Sequence, residues 1–316
     1  MSSPRTRLAL RLAVTLVVLT LCGWAASRLD WRGAMQAMGQ ARPGWLLLAC
    51  AINAPFVLLQ TWRWRVLLRP VGRPPLWSLF RYLLASRAAS NLLPARAGEL
   101  LRIYLPRVRD GLPAVSLASI LVIERFFDAF GLASVSTPLM VLHGTPPWVR
   151  SGLLLLLGAG AVGVVVVAVF ATRRGERRPW LHRIVQLTAG LRRPGTLALV
   201  FGITLLCWLT EMLMVLTCLV AVGLPASPAV ALMVLLAVNL GMVLQVTPGN
   251  LGPFEASVLL ALAALDITDP RATALALLYH MVVLVPVTLA GLDGLRFVGA
   301  ARREQQANGH PRDTTS

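Results

Sequence analysis

The chain has 316 residues, of which 57% are hydrophobic and 14% charged, and its mean hydropathy is +0.71. Soluble domains are usually about 45–50% apolar, so this composition excludes an ordinary soluble domain and predicts a surface that faces lipid. All 30 basic residues are arginines, the formal net charge is +17, and the arginines lie mainly in short gaps between apolar segments. That distribution is typical of cytoplasmic loops in membrane proteins, so we expect no nucleic-acid partner.

The four cysteines all lie in apolar segments, without CxxC spacing or a neighbouring histidine cluster. They are Cys22, Cys50, Cys207 and Cys218. Small buried packing residues are a better interpretation than disulfides or metal ligands. We therefore expect no metal site and no cofactor.

The first two apolar segments predict two spans. Residues 8–26 follow a basic start that resembles a secretory signal, but further spans follow, so we predict an uncleaved helix with a cytoplasmic N-terminus. A second span is predicted at residues 44–62. Its exit, WRWRVLLRPVGR, begins with Trp62, Arg63 and Trp64, and this basic and aromatic composition indicates a cytoplasmic boundary.

Residues 76–93 begin like a third span, but the polar segment NLLPARAGELLR at 91–102 follows them. A full crossing would place the arginines of this segment and the cluster RRGERR at 173–178 outside, against the positive-inside rule. We therefore predict that the chain enters from the cytoplasm, turns and returns. Pro94 ends the helix, and Gly98 permits a tight turn.

The remaining segments fit this orientation. They are spans at 113–142, 151–171 and 196–222, an interfacial helix at 179–194, a second broken hairpin at 229–247 and 256–265, and a last span at 271–298. The predicted fold class is an all-α integral membrane protein with six full transmembrane helices and two re-entrant broken hairpins, both termini being cytoplasmic. We expect one membrane domain at 1–300 in the inner (cytoplasmic) membrane and a polar cytoplasmic tail at 301–316, in which EQQANGHPRDTTS at 304–316 is disordered.

The two broken hairpins share a sequence pattern. In NLLPARAGE and QVTPGNLGPFE, Pro94 and Gly98 have the same spacing as Pro248 and Gly252. A polar amide precedes each proline and a carboxylate follows each glycine. These residues are Asn91, Gln245, Glu99 and Glu255. One interpretation is that proline and glycine merely break helices. The other is an inverted repeat, typical of alternating-access transporters with a site at the repeat interface. The repeats would cover residues 8–142 and 151–298.

Several charged residues lie at membrane depth, where each costs about 2.5–3.5 kcal/mol on insertion scales. In and after the first hairpin they are Arg87, Arg96, Glu99, Arg102, Glu124, Arg125 and Asp128. Glu124 and Asp128 share a helix face and need cations nearby. One interpretation is a set of ion pairs that stabilises the bundle. The other is an anion site, in which Arg96 and Arg102 bind a phosphate and Glu99 orients an arginine or carries a proton.

Two further polar residues interrupt later spans. Glu211 fits a structural or a coupling role equally well. His280 follows Glu255 at the spacing at which Glu124 follows Glu99, which suggests a coupling role, although a lone histidine is more often a packing residue. The chain has neither a P-loop nor a soluble domain suited to a nucleotide-dependent synthase, so we do not expect an enzyme.

Three motifs together, PARAGELLR, VIERFFD and TPGNLGPFE, resemble the lysylphosphatidylglycerol synthase transmembrane-region family, also called the flippase-like domain family, over roughly residues 8–300. The likeness is to the membrane part of the multiple peptide resistance factor, without its cytosolic synthase domain. It implies movement of a lipid across the cytoplasmic membrane rather than synthesis. The matching residues are Pro94, Arg96, Gly98, Glu99, Arg102, Glu124, Arg125, Asp128, Pro248, Gly249, Gly252 and Glu255. Asn250 and Pro253 stand where the family favours Gly and Val, which leaves the shape of the second turn open.

The main hypothesis is a flippase-like transporter that exposes an anionic headgroup site alternately to each side of the membrane. The lipid is a phospholipid or a polyprenyl phosphate. The site includes Arg87, Asn91, Gln245 and Asn250 besides the motif residues. The alternative is a membrane subunit of a lipid-modifying synthase or glycosyl-lipid transferase, with a separate enzyme as partner. A third hypothesis is an assembly protein whose charges only stabilise the fold.

Overall fold

The computed structural model describes residues 20, 30–93, 97–141, 146–172, 194–242 and 247–308. These residues form ten α-helices and three short 3-10 helices, with no strand among them. The α-helices are α1 Trp31–Gly39, α2 Pro43–Leu68, α3 Leu76–Leu92, α4 Leu101–Asp110, α5 Ala114–Ser136, α6 Pro147–Thr172, α7 Pro194–Val222, α8 Pro228–Gly241, α9 Pro253–Ala263 and α10 Pro270–Asn308. The 3-10 helices are Ala97–Leu100, Thr137–Val141 and Pro248–Asn250. The prediction of an all-α fold is confirmed for this part of the chain.

Prolines set several helix starts. Pro43, Pro228 and Pro253 lie in the first turns of α2, α8 and α9, where the missing N–H has no partner to lose. At α8 the Ser227 hydroxyl also accepts a hydrogen bond from the Val230 N–H at 3.3 Å, which satisfies one of the free donors at the helix start.

Three helices are long and apolar enough to cross a membrane. They are Pro43–Leu68, Pro194–Val222 and the part Pro270–Leu295 of α10, and they correspond to three of the predicted spans. Pro147–Gly163 in α6 and Pro228–Gly241 are shorter apolar helices. The protein is therefore a helical membrane protein, and the count of six full spans stays a prediction. The predicted span at 8–26 except Thr20, the cluster at 173–178 and the interfacial helix at 179–194 except Pro194 lie outside the described residues.

The start of the predicted tail is helical. α10 continues to Asn308, so residues 304–308 are helical and not disordered as predicted, and residues 309–316 lie outside the described part. Most residues of ARREQQAN are good helix formers. A helix that already exists extends without a new nucleation step.

The second span is longer than predicted, because α2 continues to Leu68. Trp62 is exposed, whereas Trp64 is fully buried and Arg63 is 3% exposed. The helical period directs adjacent residues to different neighbours. Trp62, Arg63 and Trp64 therefore belong to α2, and a cytoplasmic boundary near its end stays a prediction.

Buried side chains form two clusters that meet in the middle of the bundle. One lies mainly among α7, α8, α9 and α10 and includes Val215, Leu235 and Leu275. The other lies mainly among α2, α3, α4 and α5 and includes Leu79 and Ile120. The broadest helix contacts are those of α2 with α7 and of α3 with α10, and they join the two clusters. Since lipid is as apolar as these cores, close van der Waals packing stabilises the arrangement.

Small residues bring α3 and α10 close together. A Cβ atom on Gly291 would lie 2.6 Å from the Cβ of Ala88, and one on Gly294 would lie 2.9 Å from the Cβ of Ala85. Carbon atoms do not approach so closely, so glycine at both positions of α10 permits the observed distance between the helices.

Both predicted helix breaks are present. The 3-10 helix Ala97–Leu100 separates α3 from α4, and Pro248–Asn250 separates α8 from α9. The four flanking helices have 17, 10, 14 and 11 residues, each fewer than the roughly 20 that cross the hydrocarbon. Gly98 is needed for space, because a Cβ at this position would collide with the backbone carbonyl oxygen of Ser86 and the backbone nitrogen of Ser90 in α3. Pro94 and the rest of 94–96, and Gln245 within 243–246, lie outside the described residues.

The second turn has left-handed backbone at Gly249, Asn250 and Gly252, with φ of 58°, 60° and 93°. Asparagine tolerates such angles better than most residues, so Asn250 fits where the family favours glycine. Pro253 fits as the first residue of α9. The two departures from the family pattern therefore suit the shape of this turn.

Candidate functional site

A polar cavity of about 220 Å³ lies where α2, α3, α4, α5 and α10 meet. It is lined by Gln60, Arg63, Leu83, Ser86, Arg87, Ser90, Asn91, Glu99, Arg102, Glu124, Arg125, Asp128, Met242, Val283 and Val287. A water molecule takes about 30 Å³ of liquid, so the cavity has the size of a headgroup rather than of a whole lipid. It brings together seven of the residues predicted from sequence, which are Arg87, Asn91, Glu99, Arg102, Glu124, Arg125 and Asp128.

Arg102 and Glu124 form the most buried ion pair of the cavity. Their Nη2 and Oε2 atoms are 2.6 Å apart, and the side chains are 7% and 2% exposed. The guanidinium also lies over the ring of Trp64, 4.5 Å from its centre, a favourable cation–π contact. Arg102 thus has an internal partner, and the pair fixes the start of α4 against α5.

Arg63 and Asp128 form a second internal pair. Arg63 Nη1 donates to Asp128 Oδ1 at 2.5 Å and to Thr204 Oγ1 at 3.0 Å, so the arginine links α2, α5 and α7. Sequence analysis missed Arg63 as a site residue because it was assigned to a cytoplasmic boundary. A signal was present, since Gln60 and Arg63 lie one helical turn apart and share a face.

Arg125 connects the first turn to α5 more loosely. Its Nη2 lies 3.5 Å from Glu99 Oε1, its Nη1 lies 3.7 Å from Asp128 Oδ2, and its side chain is 49% exposed. Exposed pairs of this length contribute little to stability. Arg125 can therefore exchange partners when a charged molecule enters.

Arg87 differs from the other cavity arginines because its partners in the described structure are uncharged. Its Nη2 donates to Gln60 Oε1, and its guanidinium lies 5.3 Å from the centre of the Phe56 ring. Among the described residues no carboxylate forms an ion pair with it. The Glu211 carboxylate attracts Arg87 electrostatically without forming an ion pair, so the guanidinium donors remain available to an anion. The Asn91 amide, nearby on α3, donates to Thr288 Oγ1 of α10 at 2.7 Å.

The second-turn residues Pro248, Gly249, Asn250, Gly252 and Glu255 do not line this cavity. They form a separate group with His280 of α10. Glu255 Oε2 accepts from the Gly252 N–H at 2.7 Å, and Glu255 Oε1 lies 2.6 Å from His280 Nδ1. His280 Nε2 lies 2.9 Å from the Gly249 carbonyl oxygen.

His280 is thus bonded on both ring nitrogens, and Phe254 stacks on its ring at 4.2 Å. Sequence analysis favoured a plain packing residue and noted only its spacing from Glu255. The side-chain amide of Asn250 is buried, and neither of its polar atoms has a hydrogen-bond partner in the described structure. Such an amide costs about 1–3 kcal/mol.

Glu211 on α7 lies away from the lining of the cavity and forms no hydrogen bond or ion pair with the described residues. Within the searched part of the chain, no cluster of three or more His, Cys, Asp or Glu side chains is suited to a metal ion. Cys50, Cys207 and Cys218 are free thiols, and Cys22 lies outside the described residues.

Comparison with known proteins gives two matches. The family described as "Lysylphosphatidylglycerol synthase TM region" matches residues 8–291, which confirms the resemblance that the three motifs indicated. A curated relative described as "Glycosyltransferase AglD", from Haloferax volcanii, is 25% identical over 306 residues, an alignment that covers 81% of this chain and 49% of the relative. The chain therefore spans about half the length of that relative.

Proposed function

Because the chain belongs to the lysylphosphatidylglycerol synthase transmembrane-region family, we propose that it is a flippase-like transporter that moves an anionic lipid across the cytoplasmic membrane. The lipid headgroup binds in the cavity between α2, α3, α4, α5 and α10 while its acyl or prenyl chains stay in the bilayer. The lipid is a phospholipid or a polyprenyl phosphate, whose phosphate supplies the negative charge.

The observation that carries the proposal is the position of Arg87. It lies in a headgroup-sized cavity with an uncharged hydrogen-bond partner, Gln60. Guanidinium groups bind phosphate oxygens with two parallel hydrogen bonds, and Ser86, Ser90 and Asn91 add polar atoms to the same lining. Arg87 is therefore the main headgroup ligand in this proposal, with Arg125 as a second contact.

In this proposal the two buried ion pairs have a structural role and do not bind the headgroup. Arg102 with Glu124 and Arg63 with Asp128 are short and internal, so these four residues hold the walls of the cavity rather than the phosphate. This assignment revises the prediction that Arg102 grips the headgroup.

The order of helices supports an inverted repeat. Around the first break, α2 and α3 precede it and α4 and α5 follow. Around the second break, α7 and α8 precede it and α9 and α10 follow. The short helices α3, α4, α8 and α9 suit two re-entrant hairpins that meet near the midplane. In the proposed cycle, six full spans and both cytoplasmic termini stay in place while the hairpins expose the cavity to one side and then to the other.

The test is transport in reconstituted vesicles with a fluorescent phosphatidylglycerol in one leaflet. A charged hydrogen bond is worth about 1.5–3 kcal/mol, and each 1.4 kcal/mol is a factor of ten. Arg87→Gln should therefore weaken binding of phosphatidylglycerol by roughly 10–100-fold and slow its transport correspondingly. Binding is measured from the lipid retained by the purified protein.

Arg150→Gln is the matched control, because Arg150 is exposed on α6 and away from the cavity. It should behave as the wild type. Equal binding and transport by the Arg87→Gln and Arg150→Gln variants would contradict the proposal.

The second candidate is a membrane subunit of a lipid-modifying synthase or glycosyl-lipid transferase, and the name of the Haloferax relative favours it. In that case a separate enzyme supplies the catalytic groups, and the cavity presents the lipid to it. A glycosyl transfer assay on membranes with and without this chain separates the two candidates. Transfer that requires the chain, in vesicles without lipid movement, favours the subunit.

A further inference from the structure

The second turn holds a hydrogen-bonded pair of titratable groups close to the cavity. Val283, which lines the cavity, lies less than one turn beyond His280 on α10. His280 is 2% exposed, and the Glu255 side chain is 16% exposed. Both residues are thus shielded from water near the middle of the apolar part Pro270–Leu295.

The hydrogen bonds fix the number of protons on this pair. The Gly249 carbonyl oxygen can only accept, so His280 Nε2 carries a hydrogen. The other ring nitrogen lies 2.6 Å from Glu255 Oε1, a distance that requires a proton between the two atoms. Either an imidazolium donates to a carboxylate, or a carboxylic acid donates to a neutral imidazole. In both cases the pair holds one shared proton and has no net charge.

Removal of the shared proton makes this geometry unfavourable. A neutral imidazole has only one N–H. On Nδ1 this hydrogen keeps the bond to Glu255 and the bond to the Gly249 carbonyl is lost, and on Nε2 the reverse holds. In both tautomers the pair also has a net negative charge in a shielded position, which is unfavourable. His280 therefore holds both partners only while the proton is bound.

The same bonds hold the second turn in place. Glu255 accepts from the N–H of Gly252, and His280 donates to the carbonyl of Gly249. Both glycines have left-handed backbone, and a Cβ on Gly249 would lie 3.2 Å from the Asn91 carbonyl oxygen of the first hairpin. Asn91 also lines the cavity. A loosened second turn therefore changes the wall of the cavity.

No charged group on the helices packed against α10 forms an ion pair with Glu255 or His280 in the described structure. Besides Glu211, the one charged residue of α7, these helices carry Arg32 on α1, Arg63 and Arg65 on α2, Arg81 and Arg87 on α3, and Arg102, Arg107, Arg109 and Asp110 on α4. On α10 itself, Tyr279 is buried and its hydroxyl has no hydrogen-bond partner among the described residues.

We infer that Glu255 and His280 form a proton-binding site that closes the second turn when occupied and releases it when empty, so that proton movement drives the headgroup cavity between its two orientations. The ligand is one proton per transport cycle. This inference rests on the proposed transport of an anionic lipid and adds the source of its energy.

The first measurement is transport of phosphatidylglycerol by the full chain in vesicles with and without an imposed pH gradient. The wild type should respond to the gradient by about tenfold or more. Glu255→Gln keeps a hydrogen-bonding group that cannot lose the proton, so its transport should be slow and independent of the gradient, while phosphatidylglycerol binding is retained. Asp269→Asn removes an exposed carboxylate next to α10 and is the control, with the gradient response of the wild type.

The second measurement does not depend on transport. Hydrogen exchange at the amides of Gly249–Gly252, corrected for intrinsic rates, should quicken with rising pH in the wild type and lose this dependence in the Glu255→Gln and His280→Gln variants. Unchanged pH dependence in both variants would overturn the proton site even if the lipid is transported. A wild type without any lipid transport would instead overturn the proposed function, and the exchange data would still decide the proton site.

Discussion

The two turns occupy corresponding places in their hairpins, yet they are held by different chemistry. At the first turn, Glu99 meets the half-exposed Arg125 at 3.5 Å beside an open polar cavity. At the second turn, Glu255 bonds to backbone and to the buried His280. The first arrangement can exchange partners with an incoming anion, whereas the second is closed and depends on a proton. A shared sequence pattern thus places the groups, and the partner on the following helix decides what each turn can bind.

The largest expected effect tests the buried ion pair of Arg102 and Glu124 next to the first turn. Arg102→Met leaves Glu124 buried without its cation, which should lower the free energy of unfolding by about 3–5 kcal/mol. The double variant Arg102→Met, Glu124→Leu should recover most of this loss, because a matched apolar pair is tolerated. Unfolding in mixed micelles with increasing SDS measures both. Equal losses in the single and double variants would contradict the role of this ion pair.

A smaller effect tests why the first turn needs a glycine. Gly98→Ala places a Cβ against the backbone carbonyl oxygen of Ser86 and the backbone nitrogen of Ser90, and overpacking of this kind costs about 1–3 kcal/mol. The control is Gly39→Ala, where nothing lies within 4 Å of the added atom. The same SDS titration compares them. Equal stability of the Gly98→Ala and Gly39→Ala variants would show that the close approach of the first turn to α3 is not required.

At the second turn, the left-handed backbone of Asn250 limits substitution more than the space around its side chain does. Asn250→Gly keeps the left-handed conformation and removes a buried amide without partners, so it should stabilise the protein by about 1 kcal/mol. If the stability rises while transport falls, the amide serves the lipid or the moving turn. If the stability falls instead, the amide has a partner in the folded protein and this account of the second turn is wrong.

The smallest effect uses an exposed carboxylate as a contrast to Glu255. Hydrogen bonds from the Arg271 side chain hold the pKa of Asp269 below its ordinary value of 3.8. Since the folded pKa is lowered, this contribution is present above pH 3.8 and is lost as the pH falls below that value. Melting temperatures between pH 6 and pH 3 should therefore fall slightly less for Asp269→Asn than for the wild type. Parallel curves would show that this contact contributes nothing.

Sequence patterns were sufficient for the helix breaks and for seven of the fifteen residues that line the cavity. Proline and glycine mark both turns, charges inside apolar segments mark six of the lining residues, and the position three residues before Pro94 marks Asn91. The patterns could not assign partners, because partners are set by how distant helices face each other. Arg63 was therefore assigned to a cytoplasmic boundary, Arg102 was left open between an ion pair and a phosphate ligand, and His280 was left open between packing and coupling. Each of these residues contacts a group that the linear sequence does not place beside it.

The glycines between α10 and α3 have a consequence for sequence divergence. Gly291 and Gly294 approach the Cβ atoms of Ala88 and Ala85 and also the backbone carbonyl oxygens of Leu84 and Arg81. A side chain at either glycine would therefore push α3 and α10 apart, whatever residue stands opposite. Both glycines should accordingly resist substitution during evolution. α10 also carries His280 and the cavity residues Val283 and Val287. A change in the contact between α10 and α3 would therefore move both the proton pair and the headgroup cavity. These positions should vary less between related proteins than the rest of the apolar sequence.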